Sequence, residues 1–233
     1  MHVDVIIPAL DEEAAVGQVV SNVLAQSVRA VIVVDNGSRD ATAERARRAG
    51  ARVVHEPERG YGAACLRGLA ALSEDTDVVV FLDADGSDDP SQLASLIAPL
   101  ERDAADLVVA SRALGAVQPG ALSPQQRLGN AVAARWLRWR FGLHATDLGP
   151  FRAIRRDALD ALRMRDRDYG WTVEMQIKAA RAGLRYREIA ATYRQRVGRS
   201  KVSGTVRGVL GASYKILGLL AYYDLLGRHS GQR

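Results

Sequence analysis

Cysteine is nearly absent from this sequence, because Cys65 is the only one among 233 residues. A single cysteine excludes an intramolecular disulfide framework and a cysteine-cluster metal site, and it is typical of a protein from a reducing compartment. No run reaches the roughly 18 uncharged apolar residues of a membrane-spanning helix. Strand-like sequence begins at Val3, so we expect no signal peptide and a cytoplasmic location.

The motifs of several common enzyme classes are also missing. The sequence has no G-x-x-x-x-G-K-[ST] phosphate loop, no H-E-x-x-H zinc helix and no G-x-S-x-G nucleophile elbow. The first predicted strand is followed by Pro-Ala-Leu-Asp-Glu-Glu, residues 8–13, rather than by the glycine-rich turn of dinucleotide-binding proteins. The same acidic segment argues against a nucleotidylyltransferase, which would carry a glycine-rich basic loop there.

Lysine is scarce, and the charges are unevenly distributed along the chain. Up to residue 99 there are 8 Lys and Arg against 16 Asp and Glu, whereas the remainder has 24 against 11. This segregation indicates that the second half binds an anion. A non-enzymatic anion- or nucleotide-binding module would explain the basic half. It would leave the acidic half unexplained, so we expect no nucleic-acid partner.

Short apolar runs alternate with helical patterns in the first half, which predicts βαβ units, a parallel sheet and helices on both faces. The predicted strands are Val3–Pro8, Ala30–Val34, Arg52–His55, Asp77–Leu82 and Leu107–Ala110, and the helices are Ala14–Gln26, Asp40–Ala49, Tyr61–Leu72 and Pro90–Leu100. The second half predicts a loop at Ala113–Pro124, helices at Gln125–Phe141, Trp171–Ala182 and Thr205–Leu226, a strand at Pro150–Arg155 and an extended Tyr186–Arg196. Because no linker separates the halves, we expect one continuous domain.

Acidic residues follow four of the predicted strands, in segments 8–13, 35–40, 56–62 and 83–87. In an open parallel sheet these segments meet at one edge, where clustered carboxylates repel each other unless a cation neutralises them. Oxygen ligands without histidine or cysteine suit Mg²⁺ or Mn²⁺. Asp83 and Asp85 end a buried strand and face the same way if the segment is extended. Such a pair is typical of a metal site for a diphosphate, although a lone D-x-D is also typical of a turn.

Several ordered motifs resemble a known family. The segments VIIPALDEE, VVDNGSRDAT, RGYGAACLRGL and VVVFLDADGSDDP resemble the family 2 glycosyltransferases, which have a GT-A fold. Downstream, TDLGPFRAIRR, YGWTVEMQIKAARAG and EIAATYRQRVGRSKVSGT resemble the branch of polyprenyl- and dolichyl-phosphate sugar synthases. The resemblance covers about residues 3 to 205. It implies a Rossmann-like, mostly parallel α/β sheet, with a nucleotide-sugar half (1–112), an acceptor half (113–204) and a C-terminal amphipathic helix (205–233).

The resemblance also implies roles on the donor side. The implied nucleotide-binding residues are Pro8, Ala9, Leu10, Glu12, Asp35, Gly60, Asp83, Ala84 and Asp85. Asp35 would accept a hydrogen bond from the base, and Gly60 would allow close approach of the nucleotide. Asp83 and Asp85 would bind Mg²⁺ or Mn²⁺. Relatives in the dolichyl branch often continue with Leu-Gln where this chain has Gly86-Ser87. This departure weakens the prediction of GDP-mannose as the donor and favours UDP-glucose.

The implied reaction is inverting transfer of glucose or mannose, with Asp85, Glu174, Asp147 and Arg196 as catalytic candidates. The residues predicted to bind an acceptor phosphate are Arg112, Arg127, Arg152, Arg194, Arg196, Ser200 and Lys201. Many members supply an aspartate base after a glutamate, whereas here Glu174 precedes Met175. A phosphate acceptor needs no base, so we expect a polyprenyl phosphate or another phosphate. The alternative is a soluble sugar or small alcohol, with Glu174 or Asp147 as the base.

Two helices of the second half have an open role. Relatives in this branch often continue into transmembrane helices, whereas the predicted helix Thr205–Leu226 carries Lys215 and Asp224. It is predicted to pack on the catalytic domain, on a second copy in a homodimer, or on the inner face of a membrane. The second helix is the basic helix Gln125–Phe141. It carries Trp136 and Trp139, which are predicted to be core or interface residues.

Overall fold

A computed structural model of the chain describes residues 1–198 together with 218, 222 and 223. The predicted final helix Thr205–Leu226 and the predicted phosphate ligands Ser200 and Lys201 lie outside this described part, apart from the three isolated positions. Within it, no helix is both long and apolar enough to cross a membrane.

One seven-stranded sheet runs through both halves of the chain. Its strands are β1 (Val3–Ala9), β2 (Ala30–Asp35), β3 (Arg52–His55), β4 (Val78–Phe81), β5 (Leu107–Ser111), β6 (Arg152–Arg155) and β7 (Tyr186–Ala190). They are arranged in the order β3-β2-β1-β4-β6-β5-β7. All neighbours are parallel except β6, which runs antiparallel to both β4 and β5. Because β6 and β7 come from the second half, the two halves form one body.

Helices cover both faces of the sheet. They are α1 (Val16–Leu24), α2 (Thr42–Arg48), α3 (Tyr61–Leu69), α4 (Leu93–Glu101), α5 (Pro124–Phe141), α6 (Arg156–Leu162) and α7 (Trp171–Arg181), with a 3-10 turn at Pro90–Gln92. Helix α5 begins at a capping box formed by Ser123 and Gln126, and it ends at Gly142 with φ 67°. That positive φ is a conformation that glycine adopts without steric strain.

Alternating residues of the central strands divide the core into two layers. Val5 and Ile7 of β1 pack on the side of α1 and α4, whereas Ile6 faces α3 and α7. Phe81 and Trp171 meet edge to face in the second layer, with ring centroids 5.8 Å apart. A third apolar cluster joins α5 to α7. The sheet is therefore buried on both faces, as its nearly continuous apolar strands predict.

The predicted α/β architecture is confirmed, and two features of the second half were not anticipated. The strand predicted at Pro150–Arg155 exists as β6, but it is inserted antiparallel between β4 and β5. Hydrophobic periodicity carries no information about strand direction, so this insertion could not be predicted from the apolar pattern. Helix α6 begins directly at Arg156, with no loop residue after β6, and its seven residues are too short to produce a clear helical period.

Candidate active site

A cleft of about 590 Å³ opens at the carboxyl ends of β1 and β4. These strands flank the point from which the sheet continues in opposite directions, to β2 on one side and to β6 on the other. Such a switch point is where open α/β sheets bind ligands. The lining residues are Pro8, Ala9, Leu10, Asp11, Glu12, Asn36, Arg59, Gly60, Tyr61, Ala64, Asp83, Ala84, Asp85, Asp168, Tyr169 and Arg196.

Asp85 is held in a fixed orientation by the turn that follows β4. Its Oδ1 accepts hydrogen bonds from the backbone N–H of Ser87 at 2.9 Å and from the Ser87 hydroxyl at 2.6 Å. Its Oδ2 lies 3.3 Å from a guanidinium nitrogen of Arg196. Gly86, between them, has φ 75°, which favours glycine in this turn. The turn and the arginine together present the Asp85 carboxylate to the cleft.

Arg196 joins the acidic and basic halves of the chain at the cleft. The same Nη2 that approaches Asp85 donates a hydrogen bond to Glu12 Oε1 at 2.8 Å. Glu12 itself is anchored through its backbone N–H, which donates to Thr42 Oγ1 at 2.8 Å. The segment after β7 is thereby tied to the ends of β1 and β4. A cation of the second half thus lies between two carboxylates of the first and offsets part of their charge.

Three carboxyl groups crowd the end of β4. Burial, and next the negative charge of Asp85, raises the pKa of the Asp83 carboxyl to about 7. The pKa of Asp88 is also raised, first by burial and then by the charges of Asp83 and Asp85. Asp88 is 4% exposed, and its Oδ2 has no hydrogen-bond partner within the described part of the chain. The cluster therefore favours a bound cation.

The donor set of the cleft fits a magnesium or manganese ion that is shared with a diphosphate. Among the described residues, no group of three or more histidine, cysteine or acidic side chains has the arrangement of a complete metal site. Asp83 and Asp85 offer oxygen atoms only. A hard cation that keeps waters and takes further oxygens from substrate phosphates needs just one or two protein carboxylates. The two aspartates would hold such an ion at the carboxyl end of β4.

The opposite wall of the cleft is built by Asn36 and Gly60. The Asn36 side-chain amide donates to the carbonyls of Glu56 and Glu58, at 3.1 and 2.7 Å, and its Oδ1 accepts from the Gly60 N–H at 2.9 Å. Gly60 has φ 148°, and a Cβ at this position would lie 2.0 Å from the carbonyl oxygen of Arg167. Gly60 therefore allows a close approach of protein backbone, and its predicted approach to a nucleotide stays a prediction.

Glu174 organises the loop that meets this wall. Its carboxylate accepts hydrogen bonds from the backbone N–H groups of Arg165 and Asp166, the latter at 2.7 Å, and it pairs with Lys178 Nζ at 2.7 Å. Tyr223 donates to the same carboxylate at 3.1 Å. Glu174 is 1% exposed. Its position suits a structural role and does not suit the predicted contact with substrate.

Asp166 extends the same loop to the cleft surface. Its Oδ1 accepts hydrogen bonds from the N–H groups of Asp168 at 2.8 Å and of Gly170 at 3.0 Å. The N–H of Ala63 donates in turn to the Arg167 carbonyl at 2.8 Å. Asp168 and Tyr169 consequently line the cleft. Glu174 thus acts on the cleft through residues 165–170.

Asp147, another predicted catalytic candidate, forms an ion pair with Arg112. The guanidinium of Arg112 makes a bidentate contact with it, both N···O distances being 2.7 Å, and the Arg112 backbone N–H donates to Oδ2 at 2.7 Å. Asp147 is 1% exposed. The Arg112 guanidinium also stacks over the ring of Tyr193, 5.2 Å from its centroid. Asp147 is therefore the buried partner of an arginine.

Arg152 does not suit the phosphate-binding role that the sequence predicted. Strand β6 points its side chain into the protein, where it is 0% exposed. The guanidinium donates to the carbonyls of Leu148 at 3.2 Å, Gly149 at 3.2 Å and Thr172 at 3.0 Å. It therefore donates to buried backbone carbonyls and spends its donors inside the protein.

The remaining predicted residues fall into three groups. The cleft brings together Pro8, Ala9, Leu10, Glu12, Gly60, Asp83, Ala84, Asp85 and Arg196. Asp35 lies beside it, where Oδ1 accepts from the Ser38 N–H at 3.0 Å and Oδ2 is 3.3 Å from His55 Nδ1. Arg127 is exposed on α5, and Arg194, also exposed, pairs with Asp89 at 2.7 Å.

Several lining residues were not singled out from the sequence, among them Asn36, Arg59, Tyr61, Asp168 and Tyr169. The glycines at 60 and 62 were a usable signal, since paired glycines indicate a close backbone approach. They do not identify the approaching segment. Residues 165–168 belong to no quoted motif, and the motif that begins at Tyr169 does not indicate a contact with Gly60.

Comparisons with known proteins agree with the motifs. A family model described as Glycosyl transferase family 2 matches residues 4–163. An uncharacterized glycosyltransferase of Mycobacterium tuberculosis is 41% identical over 209 residues, covering 88% of this chain and 92% of the relative. An undecaprenyl-phosphate mannosyltransferase of Micrococcus luteus is 32% identical, covering 86% and 87%. A dolichyl-phosphate hexose transferase of Haloferax volcanii is 31% identical, covering 85% of each.

Solved structures extend the agreement to the fold. Glucosyl-3-phosphoglycerate synthase of Mycobacterium tuberculosis, crystallised with Mn²⁺, UDP-glucose and phosphoglyceric acid, superposes with a TM-score of 0.77. It is 27% identical, and the match covers 96% of this chain and 79% of that one. The sheet order, the cleft at its switch point and the family match over two thirds of the sequence lead to one assignment. This chain belongs to the family 2 glycosyltransferases and has their GT-A fold.

Proposed function

We propose that this protein is a metal-dependent inverting glycosyltransferase that moves a hexose from a nucleoside-diphosphate sugar to a polyprenyl phosphate. UDP-glucose is the favoured donor and GDP-mannose the second. In the reaction, the bond between the anomeric carbon and the diphosphate breaks. A bond forms from the same carbon to an acceptor phosphate oxygen, and the nucleoside diphosphate leaves. The relatives named as polyprenyl-phosphate transferases support this acceptor class.

The residues of the cleft suit the donor half of this reaction. Pro8, Ala9 and Leu10 offer a surface for the nucleoside next to Asn36. Asp83 and Asp85 would hold Mg²⁺ or Mn²⁺, which, when bound, stabilises the negative charge of the leaving diphosphate. Arg196 already touches Asp85 and Glu12. Its guanidinium therefore lies where an acceptor phosphate would meet the bound donor.

One observation carries the choice of a phosphate acceptor: both carboxylates that were candidate bases are buried and occupied. Glu174 accepts from two backbone N–H groups and pairs with Lys178. Asp147 is bound to Arg112 by two hydrogen bonds. An alcohol acceptor must lose a proton to a general base, whereas a phosphate is already ionised. The arrangement therefore favours a phosphate as the attacking group.

A soluble phosphorylated acceptor is the second candidate. The structural neighbour at a TM-score of 0.77 was crystallised with phosphoglyceric acid. An acceptor of that kind would attack through a hydroxyl and would require a carboxylate in the cleft wall, where Asp168 lies. This candidate predicts transfer without any lipid present.

The test is a panel of donors and acceptors. UDP-glucose and GDP-mannose are each incubated with a polyprenyl phosphate, with phosphoglyceric acid or with no acceptor, in Mn²⁺, Mg²⁺ or chelator. Nucleotide release and lipid extraction report transfer, and ³¹P NMR reports the sugar–phosphate linkage. We expect metal-dependent transfer to the polyprenyl phosphate with inversion at the anomeric carbon. Transfer to phosphoglyceric acid, with none to the polyprenyl phosphate, would reject the lipid acceptor and leave the glycosyltransferase assignment intact.

A further inference from the structure

Helix α5 carries an exposed apolar stripe that the cleft does not use. Leu128, Val132 and Trp139 are 68%, 44% and 75% exposed. Together with Arg135 they are spaced by four, three and four residues, so they lie on one face of the helix. The opposite face is buried, and Ala133 and Leu137 pack there against α7. A large exposed tryptophan in line with two aliphatic side chains is typical of a surface that binds a partner.

The charges of α5 indicate what kind of partner fits. The helix contains four arginines and no acidic residue. Arg127, Arg135 and Arg138 are exposed on or beside the stripe. If a second copy docked on this face about a two-fold axis, the arginines of the two copies would meet each other. An anionic lipid surface has the complementary charge, and its headgroup region accommodates tryptophan and aliphatic side chains.

The stripe is connected to the acceptor half by a short chain of hydrogen bonds. On the buried side of α5, the Asn130 amide donates to the Thr146 carbonyl at 3.0 Å, and its Oδ1 accepts from the Leu148 N–H at 2.9 Å. Between these residues lies Asp147, which holds Arg112. The orientation of α5 therefore fixes the orientation of the acceptor half relative to any surface on which α5 rests.

From these observations we infer that the α5 stripe Leu128–Val132–Trp139, with Arg135 and Arg138, docks the enzyme in the plane of an anionic membrane surface. This inference rests on the proposed function, because a polyprenyl phosphate resides in such a surface. An 18-residue helix is about 27 Å long. Lying flat, it provides a contact extended enough to orient the protein. The partner is the lipid headgroup layer, and the helix does not span it.

Vesicle flotation tests the docking. The full chain is mixed with vesicles of phosphatidylcholine alone or with phosphatidylglycerol, and the bound fraction is measured. We expect binding to the anionic vesicles and a loss of at least tenfold in affinity for Leu128→Ser/Trp139→Ser. The matched apolar control is Leu24→Ser on α1, which is also exposed. It should float like the wild type.

A charge variant provides an independent arm. An arginine near an anionic surface contributes about fivefold in affinity, so Arg135→Glu/Arg138→Glu should weaken binding by at least about 25-fold. Its control is Arg47→Glu/Arg102→Glu, two exposed arginines outside α5. Thermal melts and the rate with a short-chain polyprenyl phosphate in free solution should match the wild type for all four variants, because none alters the cleft.

Three results would overturn the docking: no flotation of the wild type, wild-type flotation of both α5 variants, or a dimer that Leu128→Ser/Trp139→Ser dissociates without any vesicle binding. The last result would assign the stripe to a second copy. The short-chain acceptor separates this inference from the proposed function. Flotation without transfer to any polyprenyl phosphate would reject only the proposed function, and transfer without flotation would reject only the docking.

Discussion

At the scale of single residues, Asp85 is the side chain on which the donor chemistry depends most. We predict that Asp85→Asn lowers kcat by at least about 100-fold, because several kcal/mol of charge stabilisation at the diphosphate depend on the ion it would hold. Mn²⁺-dependent binding of UDP, measured by calorimetry, should fall in parallel, and the melting temperature should stay close to that of the wild type.

Asp89→Asn is the matched control for Asp85, since Asp89 lies four residues further on and pairs with the exposed Arg194. It should retain activity. Full activity of Asp85→Asn in the presence of metal would contradict the assignment of this aspartate to the cation.

Arg196 is the residue at which the donor and acceptor halves meet. We predict that Arg196→Ala reduces kcat/KM for the acceptor by about tenfold to a hundredfold, the effect of losing one charge-assisted contact of 1.5–3 kcal/mol to phosphate. Nucleotide affinity should remain within a few-fold. Steady-state kinetics with varied acceptor measure the first quantity and calorimetry the second.

The control for Arg196 is Arg187→Ala on β7, an exposed arginine whose one described side-chain contact is to the Ala104 carbonyl at 3.2 Å. An Arg196→Ala enzyme with unchanged acceptor kinetics would remove this arginine from the list of phosphate ligands.

At the scale of elements, Glu174 links α7 to the loop 165–170. We predict that Glu174→Gln destabilises the protein by about 1–3 kcal/mol, because a buried acceptor of backbone N–H groups and the partner of Lys178 is lost. The donor KM should rise, since Asp168 and Tyr169 line the cleft. Denaturant unfolding and steady-state kinetics measure the two effects.

A positioning role for Glu174 is distinguished from a catalytic one by coupling and by pH. Lys178→Met should produce the same rise in KM, and the double variant should deviate from additivity by at least about 0.5 kcal/mol. The pH profile of kcat should keep its shape in Glu174→Gln. Disappearance of an acidic limb from that profile would instead identify Glu174 as a general base.

Gly60 fixes how closely α3 approaches the same loop. We predict that Gly60→Ala destabilises the protein by about 1–3 kcal/mol, because the new Cβ would lie 2.0 Å from the Arg167 carbonyl oxygen at a φ of 148°. Gly129→Ala in α5 is the control. Its added Cβ would meet no atom within 4 Å other than those of the adjacent residues and of the backbone of its own helix, so the change should stabilise the helix by about 0.5–1 kcal/mol. Equal stability of the two variants, measured by denaturant unfolding, would contradict the packing argument.

The bounds of the first-half strands could be predicted from the sequence. Strand β3 has the predicted bounds, and every end of the other first-half strands lies within one residue of the predicted one, because apolar runs bounded by turn residues are strong local signals. The antiparallel insertion of β6 and the approach of residues 165–170 to Gly60 depend on contacts far apart in sequence. The burial of Arg152 has the same origin, since a basic residue in an apolar strand gives no sign of which carbonyls it will meet.

At the scale of the whole molecule, the division of charge along the chain is the most informative property of the sequence. The acidic half supplies the carboxylates of the cleft, and the basic half reaches it through Arg196. Without the basic half, Glu12 and Asp85 would lose their ion pairs with Arg196. The prediction that the second half binds an anion stays a prediction, and its clearest structural counterparts are Arg196 at the cleft and the arginines of α5.

The choice of donor is likewise a property of the whole cleft. In the turn after Asp85, the Ser87 hydroxyl donates to the Asp85 carboxylate at 2.6 Å, at the Gly86-Ser87 departure from the dolichyl-branch pattern that the sequence resemblance implied. The structural neighbour at a TM-score of 0.77 was crystallised with UDP-glucose. We predict that calorimetry in the presence of Mn²⁺ finds UDP bound at least about tenfold more tightly than GDP, a difference of about 1.4 kcal/mol. UDP-glucose should accordingly have the higher kcat/KM in transfer. GDP binding at least tenfold tighter than UDP would reverse the donor assignment, and it would leave the metal site and the acceptor class to be tested by their own experiments.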